Sequence, residues 1–336
     1  PADAIDKVEV VTNPSARYDA EGGGGLLNII LKKGKTKGFN GTLIATAGYP
    51  DSQGLSGTLN YKTKKLNFFT TQAYNYRNNP GNAFVDSRYL NADNSTKNYM
   101  FETRENDRFS KGYNGNFGME WNITDKASWT NTINYRNSSN DNIDDVFQNN
   151  YDVNLAYLYT RNRINNEKGD SENIEYTSNF TKLFKKDGHK LTVDVNISKN
   201  NDDNIALIND SNNNTSVTTI DNTFSLQDQN RILIQTDYVL PFGKDSQFEA
   251  GYRGDNLELV TDYKVVNNGI NNPNFTNVLE YIERVNALYT QYGTKVNKLT
   301  ILFGLRFKDS NIEINQLATN DYNTTKSSNF FPSAFF

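Results

Sequence analysis

Hydrophobic and polar residues alternate along most of the chain after residue 38. In the segment YNGNFGMEWNIT, Tyr113, Phe117 and Trp121 fall on one face of an extended chain, and the asparagines between them fall on the other. The segments KLTVDVNIS and LTILFGLRF, which begin at Lys190 and Leu299, follow the same rule. A period of two residues indicates β-strands whose two faces meet different surroundings.

This alternation predicts eleven complete strands and the start of a twelfth near Asn329. Each strand is close to the length of about 9–11 residues that a tilted strand needs to cross a bilayer. The predicted strands are residues 39–49, 54–62, 66–77, 113–123, 128–136, 173–184, 190–198, 229–240, 247–259, 283–295 and 299–309.

Short and long connections alternate between these strands after a first short one at residues 50–53. The short connections are residues 62–65, 124–127, 185–189, 241–246 and 296–298. The long polar ones are residues 78–112, 137–172, 199–228, 260–282 and 310–328. Outer-membrane barrels have short periplasmic turns and long extracellular loops, so the pattern predicts an all-β, transmembrane antiparallel β-barrel. A soluble β-rich adhesin is the alternative.

Composition removes several classes of function. The chain has 336 residues, no cysteine and one histidine, His189, so thiolate metal sites and most histidine-built sites are excluded. The net charge of −4 gives no support for nucleic-acid binding. We expect no metal, no cofactor and no catalysis. Asparagine is the unusual residue, with 53 occurrences, and it favours turns and loops.

The first part of the chain carries a dense motif. The segment IDKVEVVTNPSARYDAEGGGGLLNIILKK, Ile5 to Lys33, resembles the end of the plug domain of TonB-dependent outer-membrane receptors, in the form common in Bacteroidota. Near the other end, NFFPSAFF resembles a strand start found midway through such barrels. The resemblance implies a C-terminal part of a plug domain at residues 1–36. Residues 37–336 would then be the N-terminal half of a barrel of about 22 strands.

The resemblance also implies residue roles and partners. Five residues would form the plug turn and contact the barrel wall: Arg17, Tyr18, Glu21, Gly22 and Gly25. We expect a segment of a receptor for active uptake of a nutrient such as a glycan, a peptide or a siderophore. Its partners would be outer-membrane lipid, the nutrient and TonB, the last through an N-terminal segment that this sequence lacks. The N-terminus also shows no signal-peptide pattern.

A second function stays open at this point. A barrel that does not transport could serve as a docking scaffold, with a surface lipoprotein or a secretion-complex component as its partner. In either case, aromatic residues in the long polar segments are candidate ligand contacts at the cell surface. These are Tyr151, Tyr157, Tyr159 and Phe224.

Overall fold

The computed structural model describes residues 5–11, 26–31, 38–215, 217–243, 245–297 and 299–335. The five predicted plug-turn residues, Arg17 to Gly25, lie outside these ranges. The described part of the chain is almost entirely β-structure. Its one helical element among these residues is a short 3₁₀ turn at Pro273–Phe275.

Sixteen strands are described, in two separate sheets. The small sheet pairs β1 (Ile5–Val11) with β2 (Leu26–Leu31) in antiparallel fashion. The large sheet contains β3 (Gly38–Gly48), β4 (Ser52–Lys62), β5 (Leu66–Asn78), β6 (Gly81–Leu90), β7 (Thr96–Thr124), β8 (Ala127–Tyr151), β9 (Tyr157–Leu183), β10 (Lys190–Asn212), β11 (Val217–Phe242), β12 (Ser246–Asn267), β13 (Ile270–Asn271), β14 (Asn277–Val296), β15 (Leu299–Gln316) and β16 (Asp321–Phe335).

The large sheet is an antiparallel meander of neighbours in chain order. It runs from β3 through β4, β5 and β7 to β12, and then through β14 and β15 to β16. Two elements lie off this path: β6 pairs with β7, and β13 pairs with β12. Among the described residues the sheet is open, with β3 and β16 at its two edges. Each of the twelve predicted strands corresponds to one strand of this path.

The predicted long loops are wrong. Most of residues 78–112, 137–172 and 199–228 continue the strands, so β7 is 29 residues long and β9 is 27 residues long. Between β8 and β9, only the turn around Val153 separates the strands. The connections are therefore short at both ends of most hairpins.

The reason for this difference is the surroundings of the strands. In the distal halves of β7 to β11, the halves far from the short predicted turns, polar residues occupy both faces. The alternation of apolar and polar residues that identifies a strand therefore disappears there. The backbone ladder nevertheless continues in register, as from Asp202↔Gln227 to Asn212↔Val217. Intrinsic β-propensity depends on context, and pairing with neighbouring strands overrides the poor propensity of asparagine and aspartate.

β5 and β6 act as one strand with a short interruption. Both pair with β7, first from Leu66↔Trp121 to Asn78↔Phe109 and then from Gly81↔Asn106. The break falls at Asn79 and Pro80, and the Asn79 amide still donates to the Arg108 carbonyl at 2.8 Å. Proline cannot donate to the ladder, so it is tolerated at such a break.

Candidate functional site

Register brings many apolar side chains of neighbouring strands together on one face of the large sheet. Residues directly opposite on paired strands project to the same face. Following these pairs across the sheet gives a continuous zone, here called the apolar band. It includes Phe39, Leu43, Leu59, Phe68, Phe117, Met119, Trp121, Trp129, Ile133, Tyr176, Phe180, Val193, Val195, Ile197, Ile232, Ile234, Tyr252, Leu288, Phe303, Leu305 and Phe330.

The apolar band is exposed, whereas the opposite, polar face contains most of the buried residues. Leu43 is 76% exposed and Phe117 is 55% exposed. By contrast, Asp237 is 1% exposed and Arg306 is 2% exposed on the polar face. A soluble protein rarely exposes a contiguous apolar surface of this extent. The band therefore needs an apolar environment, which a bilayer supplies.

Aromatic residues lie near both borders of the apolar band. Trp121 and Trp129 are register partners beside the turn that joins β7 to β8. Tyr113 and Tyr135 mark the other border, with their ring centroids 6.1 Å apart. Trp121 and Tyr113 are eight residues apart on one strand, which corresponds to about 26 Å along the strand and less once it is tilted. This matches the apolar belt of about 25 Å between the aromatic girdles of outer-membrane barrels.

Polar groups inside the apolar band are paired with one another. The Gln72 amide donates to Thr70 Oγ1 at 2.7 Å and to the Asn116 carbonyl at 3.0 Å. The Tyr113 hydroxyl donates to the Gln72 side-chain oxygen. A Cβ atom on Gly115 would lie 2.4 Å from that oxygen, so glycine makes the room for this contact. Such pairing is required where no water can compete.

The polar face holds a buried cluster where β11, β12 and β14 meet. Asp237 accepts from the Tyr289 hydroxyl and from the Gln235 amide, the latter at 3.0 Å. The Tyr289 ring lies over Gly251, where a Cβ atom would come within 2.4 Å of the ring. Sequence reasoning missed this cluster because the pairing of Gly251 with Tyr289 depends on register, which the sequence does not display.

An ion-pair cluster lies on the same face. Arg231 donates to Asp255 through two nitrogens, at 2.8 and 2.6 Å, and Arg253 donates to the same carboxylate at 3.1 Å. A bidentate arginine pair fixes geometry, so the cluster holds β11 and β12 in register.

The four candidate ligand contacts do not form one site. Tyr151 and Tyr157 are together at the end of the β8–β9 hairpin, with ring centroids 5.9 Å apart. The Tyr157 hydroxyl also accepts from the Asn213 amide at 2.6 Å. Tyr159 is the register partner of Asn150, which lies on the polar face. Phe224 is on β11, between Ile205 and Lys264, on the same face as the apolar band.

Two carboxyl groups in the distal hairpins have shifted pKa values of opposite sign. Arg161 Nε donates to Asp210 Oδ1 at 2.8 Å, and this hydrogen bond lowers the pKa of the Asp210 carboxyl. Burial, followed by the negative charge of Glu105, raises the pKa of the Asp145 carboxyl. Glu105 is the direct register partner of Asp145 on β7.

The chain's single histidine has a structural environment. His189 lies at the short connection between β9 and β10, and its Nε2 is 2.8 Å from the Tyr238 hydroxyl. Its ring stacks on Phe184 with a centroid distance of 4.0 Å. Within the described ranges, no three histidine, cysteine, aspartate or glutamate residues are grouped so as to hold a metal ion.

No helix in the described part of the chain has the length and hydropathy to cross a membrane.

A family comparison covers the C-terminal part of the chain. Residues 182–336 match the family model described as "Outer membrane protein beta-barrel family". The matched segment contains β10 to β16. The protein is located in the outer membrane, and its large antiparallel sheet forms part of the wall of a β-barrel. No curated protein matches the chain.

Two solved structures are similar to the chain at a low level. The outer-membrane protease OmpT from Escherichia coli is 8% identical, with a TM-score of 0.26 over 81% of this chain and 95% of its own. The siderophore receptor PirA from Acinetobacter baumannii is 8% identical, with a TM-score of 0.20 over 99% of this chain and 79% of its own. Likenesses of this size say nothing about activity.

Proposed function

We propose that this chain is part of a TonB-dependent outer-membrane receptor that takes up a nutrient. The observation that carries the proposal is the motif from Ile5 to Lys33, which stands directly before the barrel wall. In its described parts, the motif contains β1 and β2, which form a sheet of their own. A separate small sheet at this place in the chain is what the end of a plug domain requires.

The polar face supports the same proposal. A transport path needs an inner surface that is wet and rich in hydrogen-bonding groups, and interiors of this class are polar. The cluster around Asp237 and the pair of arginines on Asp255 provide fixed polar groups on that surface. They would contact a plug or a passing ligand without a covalent step, so the proposed activity is binding and transport.

Transport is tested by comparing two deletions in the native organism. We expect a deletion of this gene and a deletion of tonB to share a growth defect on one nutrient from a defined panel of glycans, peptides and ferric siderophores. Full-length protein should also bind the purified C-terminal domain of TonB. A gene deletion with normal growth on every nutrient, together with no TonB binding, would refute uptake.

A docking scaffold is the second candidate, and one observation favours it. Ile205, Leu207 and Leu226 are each more than a third exposed on the outer side of the distal hairpins, beyond the apolar band. Exposed apolar residues outside a bilayer are typical of protein contacts. In this case, replacing Leu207 and Leu226 by serine should shift the native complex to lower mass on a native gel and leave nutrient uptake unchanged.

A further inference from the structure

A polar hollow lies on the polar face of the large sheet, across β5, β7 and β8. Its volume is about 270 Å³. Asn114 and Arg136, which are register partners, both line it. They directly follow Tyr113 and Tyr135, the tyrosines at one border of the apolar band. The hollow therefore begins at the level of this border and extends into the distal parts of the strands.

The walls of the hollow are polar side chains whose hydrogen-bonding groups are unused. Gly112 lies between its register partners Asn75 and Ser138 and has no side chain, which opens the floor of the hollow. Six polar side chains of this face surround the floor: Asn75, Ser110, Asn114, Arg136, Ser138 and Asn140. None of the six forms a hydrogen bond or an ion pair with another side chain of the described ranges. This sets the hollow apart from the cluster around Asp237, whose members bond to one another.

Arg136 gives the hollow a single positive charge. No Asp or Glu residue is part of the lining. Lys111 is part of it, but register places the Lys111 side chain on the opposite face with that of Tyr113. Glu175, one register row away on β9, accepts from the Asn134 amide at 3.0 Å. In the part of the chain that the structure describes, the exposed guanidinium of Arg136 has no carboxylate partner, so it can bind an anion from solution.

From these observations we infer that the hollow binds a hexuronate unit of an acidic glycan, with the carboxylate on Arg136. The inference rests on the proposed uptake function and names its substrate class. A guanidinium binds a carboxylate through two parallel hydrogen bonds. Sugar hydroxyls both donate and accept, as do the amide of Asn114 and the hydroxyl of Ser138, so the neutral part of the lining matches the sugar ring.

Size and charge disfavour other anions in this hollow. Its volume is just below the range of about 300–1,000 Å³ that drug-sized ligands occupy, so it accommodates one sugar unit. A phosphate ester carries a charge of about −1.5 to −2 at neutral pH, which exceeds the charge of one arginine. A peptide carboxylate fits less well, because no aliphatic side chain lines the hollow to hold an apolar residue.

The inference is tested by isothermal titration calorimetry of the full-length protein in detergent, with trigalacturonate and with its neutral methyl ester. We expect wild-type protein to bind the acid about tenfold more tightly than the ester, because charge-assisted hydrogen bonds are the stronger ones. Arg136→Gln should lower the affinity for the acid about tenfold and leave that for the ester unchanged. Asn114→Leu, which removes the amide at similar size, should weaken the binding of both ligands.

The matched control is Arg163→Gln. Arg163 is an exposed arginine on the same polar face, on β9 and outside the hollow. This variant should bind both ligands as the wild type does. Folding of each variant is checked by its heat-dependent migration on a gel. If Arg136→Gln does not fold, Arg136→Lys serves in its place, because it keeps the charge and loses the paired hydrogen bonds. A weaker affinity for the acid then supports the inference, and an unchanged one contradicts it.

Four results would overturn the inference. They are no binding of trigalacturonate by the wild type, equal affinity for the acid and the ester, unchanged affinity in Arg136→Gln, and an equal loss in Arg163→Gln. Failure of the inference is distinguishable from failure of the proposed function. A protein that binds TonB and is needed for growth only on a nutrient without a carboxylate would leave uptake standing and overturn the hexuronate site.

Discussion

At the scale of single residues, glycines and aromatic rings are fitted to one another on both faces of the sheet. On the polar face, the Phe69 ring occupies the space beside Gly118, where a Cβ atom would come within 2.1 Å of it. On the apolar face, the Tyr252 ring lies along its own strand over Gly254, and its hydroxyl donates to Asn286 at 2.6 Å. Glycine has a poor propensity for β-strands, but at each of these positions the missing side chain leaves space for an aromatic ring.

A pair of arginine substitutions distinguishes the two faces. Val195 lies in the apolar band, and Asn196 follows it on the polar face. We expect Val195→Arg to destabilise the folded protein by about 2–4 kcal/mol, the cost of arginine on the lipid face near the bilayer midplane. Asn196→Arg should cost much less. Urea unfolding in phospholipid vesicles measures both, and equal losses would contradict the assignment of faces.

The Asp210–Arg161 pair predicts a loss of local stability in acid. Because the folded pKa of Asp210 is lowered, its contribution is present above the ordinary pKa of aspartate and is lost as pH falls through the folded value. Amide exchange near the ends of β9 and β10 should therefore speed up below about pH 4. In Asp210→Asn this acceleration should be absent. An unchanged acid response in the variant would show that the pair is not its source.

The raised pKa of Asp145 predicts the opposite dependence of stability on pH. Its folded pKa is raised, so the folded state holds a proton more tightly than the unfolded state, and stability decreases as pH rises between the two pKa values. At neutral pH, Asp145→Asn should slow amide exchange in β8, and Glu105→Gln should act in the same direction. Faster exchange in Asp145→Asn at pH 7 would contradict the burial and charge repulsion described for this carboxyl.

At the scale of elements, turn chemistry explains much of the asparagine content. Five non-glycine residues in the described ranges have positive φ, and four of them are asparagines, at positions 94, 268, 297 and 320. Asparagine tolerates this left-handed conformation better than other residues with a Cβ. Leu155, at φ 64°, is the exception.

Leu155 therefore gives a prediction for the β8–β9 turn. A left-handed conformation costs a residue such as leucine about 1–2 kcal/mol, so Leu155→Gly should stabilise the end of this hairpin by up to about 1 kcal/mol. The side chain is 55% exposed, so little packing is lost. Leu155→Val is the matched change, and it should destabilise. Amide exchange at Asp152 and Tyr157 reports both, and destabilisation by glycine would contradict the proposed strain.

The sequence predicts the part of each strand that lies in the membrane better than the part that lies outside it. The sequence pattern predicts a strand at residues 190–198 because the lipid face of this part of β10 is apolar and the other face is polar. The rest of β10, to Asn212, has asparagine and aspartate on both faces, so its sequence resembles a loop. The predicted short turns agree with the structure, since Gly188 and Gly243 have the positive φ that such turns require.

The candidate site was less predictable. The apolar band could be predicted because period two is a local property of the sequence. The cluster of Asp237, Gln235 and Tyr289 depends on which residue of β14 faces β12, and no local pattern gives this register. The four predicted ligand contacts are aromatic residues in segments that the sequence pattern predicts as loops, but these segments are strands whose two faces alternate. Ligand binding by these residues stays a prediction.

At the scale of the whole molecule, each long hairpin combines a membrane part with a part that extends beyond the membrane. The apolar band occupies one part of β7 to β11, and the remaining residues carry salt bridges such as Lys199–Asp228 at 3.1 Å. A strand of more than 20 residues is about twice as long as a bilayer crossing needs. The polar parts of these strands therefore extend well beyond the membrane.

Cysteine labelling along β10 tests this account most directly, since the native chain has no cysteine. Single cysteines at Val193, Val195 and Ile197, and at Ile205, Leu207 and Asn209, lie on one face of one strand. In full-length protein in vesicles, a membrane-impermeant maleimide should label the three distal sites and leave the three proximal ones unmodified, whereas a lipid-soluble maleimide should reach all six. Uniform labelling of the six sites by the impermeant reagent would contradict a strand that begins in lipid and continues into water.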